Sequence, residues 1–179
     1  MKNQRAFTLL ETMVALAILA MAIAAPITLV AQSLLAAEYA RDQITAFYLA
    51  QEAIEGVRAM RDNNILQNAI SSSSLDIMNG IPDTTGSAFT IDVVNNNKMT
   101  LCPSGVCPLL QVDANGLYGY GAGWANTNFN RSVAATFVNG NHDEVRIVVT
   151  VTWHTGPYKV QTFKLSEDLY RWVADGSAA

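Results

Sequence analysis

The sequence predicts an α+β fold, in which a long N-terminal helix packs on a C-terminal head built around an antiparallel β-sheet. Three observations support this prediction. Residues 12–37 contain no charged side chain, apolar residues then recur at spacings of three and four, and alternating apolar runs separated by turn sequences follow late in the chain. The helix should be apolar all round in its first half and on one face in its second half.

The composition narrows the class of protein. The chain has 179 residues, of which 50% are hydrophobic and 15% are charged, and its net charge is −4. A disordered chain would carry more charge and fewer apolar residues. Only one run is long enough to span a bilayer, which excludes a polytopic membrane protein. The negative charge argues against a general nucleic-acid binder.

The uncharged run is long enough to cross a membrane. As a helix, residues 12–37 would measure about 39 Å, and a bilayer core needs about 30 Å. Lys2 and Arg5 precede the run, so the N-terminus should stay cytoplasmic and the remainder should be exported. Three interpretations remain open: a secretory signal cleaved after the Ala22-Ile23-Ala24 site, an uncleaved anchor, or a short leader removed on the cytoplasmic side.

Glu11 distinguishes these interpretations. A carboxylate at mid-bilayer costs about 2.5 to 3.5 kcal/mol, although the cost is smaller near the headgroups. Cleavage between Ala6 and Phe7 would create a cationic α-amino group on Phe7, one helical turn from Glu11. The carboxylate could pair with that amine in the same chain or in a neighbouring subunit, which would neutralise both charges.

The run Arg5-Ala6-Phe7-Thr8-Leu9-Leu10-Glu11 and the apolar residues after it resemble the N-terminal signature of type IV pilins and type II secretion pseudopilins. The resemblance covers about the first 30 residues. It implies cleavage after Ala6 by a prepilin peptidase, N-methylation of Phe7 and a subunit-docking role for Glu11. The family usually has Gly where this chain has Ala6, and we expect cleavage to survive the change. The sequence Phe129-Asn130-Arg131-Ser132-Val133 is similar, more loosely, to the C-terminal sheet of pilin-V and pseudopilin-I type subunits.

The helix should continue beyond the apolar run. Asp62-Asn63-Asn64 supplies a stop signal, and the predicted amphipathic face comprises Leu34, Leu35, Glu38, Tyr39, Ile44, Phe47, Ala50, Ala53, Ile54, Val57 and Met60. Pro26 lies inside the run and predicts a kink, or a point that loosens when subunits leave the bilayer. We therefore divide the chain into a leader (1–6), a membrane-spanning and filament-core helix (7–37), an amphipathic helix (38–64) and a β-rich head (65–179).

The head should contain a three-strand antiparallel meander. Strand patterns cover residues 88–94, 129–138, 145–153 and 158–165, and the last three are separated by turn sequences. Alternation places Val145, Ile147, Val149, Val151 and Trp153 on the face toward the helix. Residues 165–173 should close the chain with a short helix or turn.

Cys102 and Cys107 should form a disulfide if export places them in an oxidising compartment, and free thiols are the alternative. We find no motif of an active site and expect neither a cofactor nor a metal. His142 and His154 lie at irregular spacing and should be solvated or hydrogen-bonded. Asp113-Ala114-Asn115-Gly116 resembles part of a calcium loop but lacks the later ligands, so a turn is the better interpretation.

Arg131, Arg146, Lys159, Lys164 and Arg171 could form a basic strip for DNA capture, and an ordinary solvated face is the alternative. The resemblance implies a filament subunit whose partners are a prepilin peptidase and methyltransferase, inner-membrane assembly machinery, the lipid bilayer and other pilin subunits. It would lie in the inner membrane with its head outside, and then in a surface or periplasmic filament. The alternatives are a minor pseudopilin of a type II secretion system and a membrane-tethered extracytoplasmic binding protein.

Overall fold

A computed structural model of the protein describes residues 8–71, 76–140, 143–155 and 159–171. The chain divides into two compact units, Met1–Arg41 and Asp42–Ala179. One helix, α1 (Leu9–Ser71), supplies all the secondary structure described in the first unit and the first element of the second. The predicted long N-terminal helix is therefore confirmed.

The prediction that α1 ends near Asp62-Asn63-Asn64 is wrong, because the helix runs through Ser71. Asparagine interrupts helices when its side chain bonds to the local backbone. The buried Asn64 amide instead donates hydrogen bonds to the carbonyls of Ile77 (3.1 Å) and Asn79 (2.7 Å). Since these acceptors lie in the loop after the helix, Asn64 ties that loop to α1 without competing for its backbone.

The described strands form one antiparallel sheet. In chain order they are β1 (Phe89–Asp92), β2 (Lys98–Leu101), β3 (Leu109–Val112), β4 (Tyr118–Gly119), β5 (Ala125–Phe137), β6 (Glu144–Thr155) and β7 (Lys159–Tyr170). The predicted meander is confirmed as β5–β6–β7. The other edge of β5 is shared between β1, which pairs at Val133, and β3, which pairs from Asn130 toward Ala125.

The prediction of a closing helix or turn over residues 165–173 is wrong over the described residues, because β7 continues to Tyr170. The alternation of side chains explains the extension. Leu165 pairs across from Val149, and Leu169, which is buried, pairs across from Val145. Because both side chains lie on the core face, ending the strand earlier would expose the core under Leu169.

The core lies between the second part of α1 and the sheet. The predicted inward face of β6 is confirmed, since Val145, Ile147, Val149, Val151 and Trp153 are all buried. On α1 the buried side chains are Ala46, Leu49, Ala50, Ala53, Ile54 and Val57. Part of the predicted amphipathic face is exposed, namely Leu34, Leu35, Tyr39, Ile44 and Phe47. Phe47 contacts Phe163 of β7, with ring centroids 5.8 Å apart.

Small residues bring α1 close to the sheet. Ala46, Ala50 and Ala53 are fully buried, and Gly56 follows them on the same stretch of helix. A Cβ atom at Gly56 would lie 2.6 Å from Cδ1 of Ile91, closer than real carbon atoms approach. The glycine therefore allows the close approach of the helix to β1, and a larger residue would have to displace the side chain of Ile91.

Candidate functional site

The first turn of α1 contains Glu11, the acidic side chain predicted to act in assembly. The hydroxyl oxygen of Thr8 accepts a hydrogen bond from the backbone N–H of Glu11 (3.3 Å), and the carbonyl of Thr8 accepts one from the N–H of Thr12 (3.2 Å). Thr8 is therefore the N-cap of the helix, and Glu11 occupies the third helical position. A carboxylate there interacts favourably with the positive end of the helix dipole, by about 0.3 to 1 kcal/mol.

This cap was not predicted from the sequence, although the signal was present. A threonine followed three residues later by glutamate, just before an apolar run, is the capping-box pattern. The cap explains why the helix begins where it does. It also fixes the position of the Glu11 side chain relative to the helix start.

The stretch of α1 that directly follows Glu11, residues 12–37, is uncharged and mainly apolar. Leu9–Ser71 contains a window with a mean hydropathy of 2.5, none of it buried, and is long and apolar enough to cross a membrane. A signal sequence near an N-terminus meets the same criterion. The exposed apolar side chains require either lipid or other chains as a surrounding.

Polar side chains within the apolar stretch are bonded to the backbone of their own helix. The hydroxyl of Thr12 donates to the carbonyl of Leu9, and the hydroxyl of Ser33 donates to the carbonyl of Leu29, both at 2.8 Å. These bonds remove two polar groups from contact with an apolar surrounding. Pro26 lies inside α1, and the helix continues on both sides of it.

Most of the predicted processing site lies outside the described residues. Lys2, Arg5, Ala6 and Phe7 belong to that part of the chain, and the structure describes Glu11 alone among the residues predicted for processing and docking. The cleavage, methylation and docking roles accordingly remain predictions. His142 also lies outside the described residues.

The head contains a buried ionic site that was not predicted from the sequence. The guanidinium group of Arg131 donates to the carbonyls of Leu49 (3.0 Å) and Ile91 (2.8 Å) and to Oε2 of Glu52 (2.7 Å). Its side chain is 0% exposed, whereas that of Glu52 is 33% exposed. One arginine thus joins α1 to β1 and β5. The sequence carried a signal, because Arg131 alternates with the inward-facing Phe129 and Val133.

The burial of Arg131 removes it from the predicted basic strip. Two further members are paired: Arg146 with Asp168 (2.8 Å) and Arg171 with Asp76 (3.1 Å). The five residues therefore do not form a continuous basic surface, and the prediction of DNA capture loses its basis. Arg146 also lowers the pKa of Asp168 through their side-chain hydrogen bond.

The turn prediction for residues 113–116 is confirmed. One carboxylate oxygen of Asp113 accepts hydrogen bonds from the backbone N–H groups of Asn115 and Leu117, both at 2.8 Å. The bond from Leu117 is the main cause of a lowered pKa for Asp113. The carboxylate therefore serves as the acceptor of an Asx-type turn.

The predicted disulfide between Cys102 and Cys107 is confirmed. It closes the connection from β2 to β3, around a 3-10 turn at Pro103–Gly105. The amide of Asn130 on β5 donates to the carbonyls of Cys107 (2.6 Å) and Pro108 (3.1 Å). The closed loop is thus held against β5 where the pairing of that strand changes from β1 to β3.

Comparison with known proteins gives one positive result. Residues 1–25 match the family described as the prokaryotic N-terminal methylation motif, which is the hallmark of the type IV pilin and pseudopilin superfamily. Together with the long helix and the antiparallel head, this motif defines a type IV pilin-like protein that carries a prepilin cleavage and methylation motif. No curated protein and no solved structure shows significant similarity to the chain.

Proposed function

We propose that the protein is a structural, non-enzymatic subunit of a type IV pilus-like filament, which a prepilin peptidase processes after Ala6. The observation that carries the proposal is the single carboxylate of Glu11, held in the first helical turn directly before the uncharged apolar run of residues 12–37. In a simple membrane anchor this charge gains only the helix-dipole interaction of about 0.3 to 1 kcal/mol, whereas an assembling subunit can also pair it with the amine of Phe7.

The proposed assembly proceeds in stages. Lys2 and Arg5 keep the leader on the cytoplasmic side while the helix enters the inner membrane. Cleavage frees the amine of Phe7, which is then methylated, and the subunit waits in the bilayer with its head outside. Assembly machinery extracts it into a bundle of N-terminal helices, in which the exposed apolar side chains of α1 exchange lipid for other subunits. The pair between Glu11 and Phe7 sets the axial register.

Substitution of Glu11 tests the docking step. Glu11→Ala and Glu11→Gln should leave the head folded and membrane insertion intact, but should remove the subunit from sheared filament fractions. Thr12→Val is the matched control, because it changes a neighbouring side chain without altering the charge. Normal incorporation of Glu11→Ala into filaments would contradict the docking role.

Two alternatives predict different outcomes. A minor pseudopilin of a type II secretion system would be processed in the same way, but its deletion would abolish protein export and leave surface pili intact. A tethered extracytoplasmic binding protein would tolerate Glu11→Ala without any defect in assembly or export.

A further inference from the structure

A groove lies on the head between α1 and the turn before β4. It has a volume of about 560 Å³ and is lined mainly by Tyr48, Leu49, Glu52 and Glu55 of α1 and by Leu117 and Tyr118. Tyr48 is 63% exposed and Leu117 is 51% exposed, so two large apolar side chains flank the opening. Apolar surface of this kind beside polar groups is typical of sites that bind another protein.

Carboxylates give the groove its charge. The side chain of Glu55 is 63% exposed, and that of Glu52 reaches the same groove while its Oε2 binds Arg131. The guanidinium group of Arg58 donates hydrogen bonds to Oε1 of Glu55 and to both carboxylate oxygens of Glu167. The single positive charge of Arg58 is shared by the carboxylates of Glu55 and Glu167. A net negative charge therefore remains beside the groove.

The spacing along α1 specifies what a binding surface must present. Glu55 lies seven residues after Tyr48, so the backbone positions of the two residues are about 10 Å apart along the helix axis. A complementary surface should therefore present an apolar side chain and a cation at a similar separation.

The outer face of β7 has this arrangement. Val160, Thr162 and Lys164 are exposed on the side of the sheet that faces away from α1. Val160 and Lys164 are four strand residues apart, which is about 13 Å, and the flexible lysine side chain can shorten that distance. Lys159 is also exposed and adds positive charge at the same end of the strand.

We propose that this groove binds the outer Val160–Lys164 face of β7 from a second copy of the chain, with Val160 between Tyr48 and Leu117 and Lys164 beside Glu55. The groove borders α1 on the inner side of the sheet, whereas Val160 and Lys164 lie on the outer side, so one head cannot satisfy both. The contact is heterologous, and a repeated heterologous contact generates a ring or an open helical filament. The inference rests on the proposed function and names the head contact within the filament.

Cysteine cross-linking in the full-length protein tests the contact. Chains carrying Leu117→Cys and chains carrying Val160→Cys are co-expressed and treated with a short bismaleimide, which the paired Cys102 and Cys107 do not react with. We expect at least about fivefold more cross-linked dimer than for the control pair Leu66→Cys and Val160→Cys. Leu66 is similarly exposed on α1 but lies beyond the groove.

Charge exchange tests the pairing. Glu55→Lys and Lys164→Glu should each lower the Leu117–Val160 cross-link about two- to fivefold, the range expected for an exposed ion pair. When both co-expressed chains carry both changes, the cross-link should be restored, because every contact then regains an opposite pair. Asp62→Lys reverses a charge on the same helix outside the groove and should have no effect.

The outcomes separate this inference from the proposed function. A cross-link no stronger than the control, or no recovery in the double charge exchange, overturns the groove contact even where filaments form and depend on Glu11. A strong cross-link without wild-type filaments supports the contact and contradicts the filament proposal. If neither the cross-link nor wild-type filaments are found, the groove contact and the filament proposal are both overturned.

Discussion

Replacement of Arg131 should destabilise the head more than any other single loss of charge in the described residues. Its guanidinium joins three acceptors on α1 and β1, and its side chain is fully buried. Breaking a buried ion pair by removing one partner costs about 3 to 5 kcal/mol when the other charge stays buried. Here Glu52 is 33% exposed and can regain water, which lowers that cost.

The magnitude for Arg131→Met follows from the three acceptors. Leu49 lies inside α1, so its carbonyl can still accept the helical bond from four residues on. The carbonyl of Ile91 loses a charged donor, and the carboxylate of Glu52 loses its partner. An unpaired buried carbonyl costs about 1 to 3 kcal/mol, and a partly exposed ion pair adds about 1 kcal/mol. We therefore expect a loss of about 2 to 4 kcal/mol. Arg131→Ala should lose more, because it also leaves a cavity.

Urea unfolding of the full-length protein in detergent micelles, followed by tryptophan fluorescence, measures these losses, since Trp153 lies in the core of the head. Glu52→Gln keeps an acceptor oxygen for Arg131 and should cost only about 1 to 2 kcal/mol. An Arg131→Met variant within about 0.5 kcal/mol of wild type would refute the reasoning, because it would mean that the buried interactions contribute nothing net.

The remaining predictions use the same unfolding measurement. Cys102→Ser combined with Cys107→Ser should cost about 2 kcal/mol in the chain-entropy account of disulfides, and the reduced wild type should match the double variant. Gly56→Ala should lower the free energy of unfolding by about 1 kcal/mol. The crowding against Ile91 costs about 1 to 3 kcal/mol, and the gain in helix propensity offsets roughly 1 kcal/mol of it. A stabilised Gly56→Ala variant would contradict the close approach of α1 to β1. Because the pKa of Asp168 is lowered in the folded head, its pair with Arg146 stabilises above the unfolded pKa of about 3.9 and is lost as the pH falls through the folded value. Asp168→Asn should therefore be less stable than wild type at pH 7, and the difference should shrink as the pH falls below about 3.9; a difference that does not shrink in acid would argue against the ion pair.

Elements whose side chains repeat with a clear period were predictable from the sequence. The alternation around Val149 identified the inner face of β6, and the uncharged run identified the N-terminal helix. Prediction failed where distant residues decide the outcome. In the sequence Asn64 predicts the end of a helix. The helix continues because the Asn64 amide donates to the carbonyls of Ile77 and Asn79, which lie in a later loop.

The candidate sites also differ in whether neighbouring or distant residues determine them. The assembly segment follows from a local motif around Glu11, so neighbouring residues in the sequence suffice to identify it. Both interpretations offered for Arg131, a basic strip and an ordinary solvated face, require an exposed side chain, and arginine is usually exposed. Its position among inward-facing residues indicated burial, but the acceptors that make burial possible lie on α1 and β1, far along the chain.

The mass of the mature N-terminal peptide tests the central claim most directly. Protein isolated from cells that contain the prepilin peptidase is digested, and its N-terminal peptide is identified by mass spectrometry. We predict a peptide that begins at N-methylated Phe7. A peptide that begins at Ala25 would show ordinary signal cleavage and would contradict the assignment of this chain as a filament subunit.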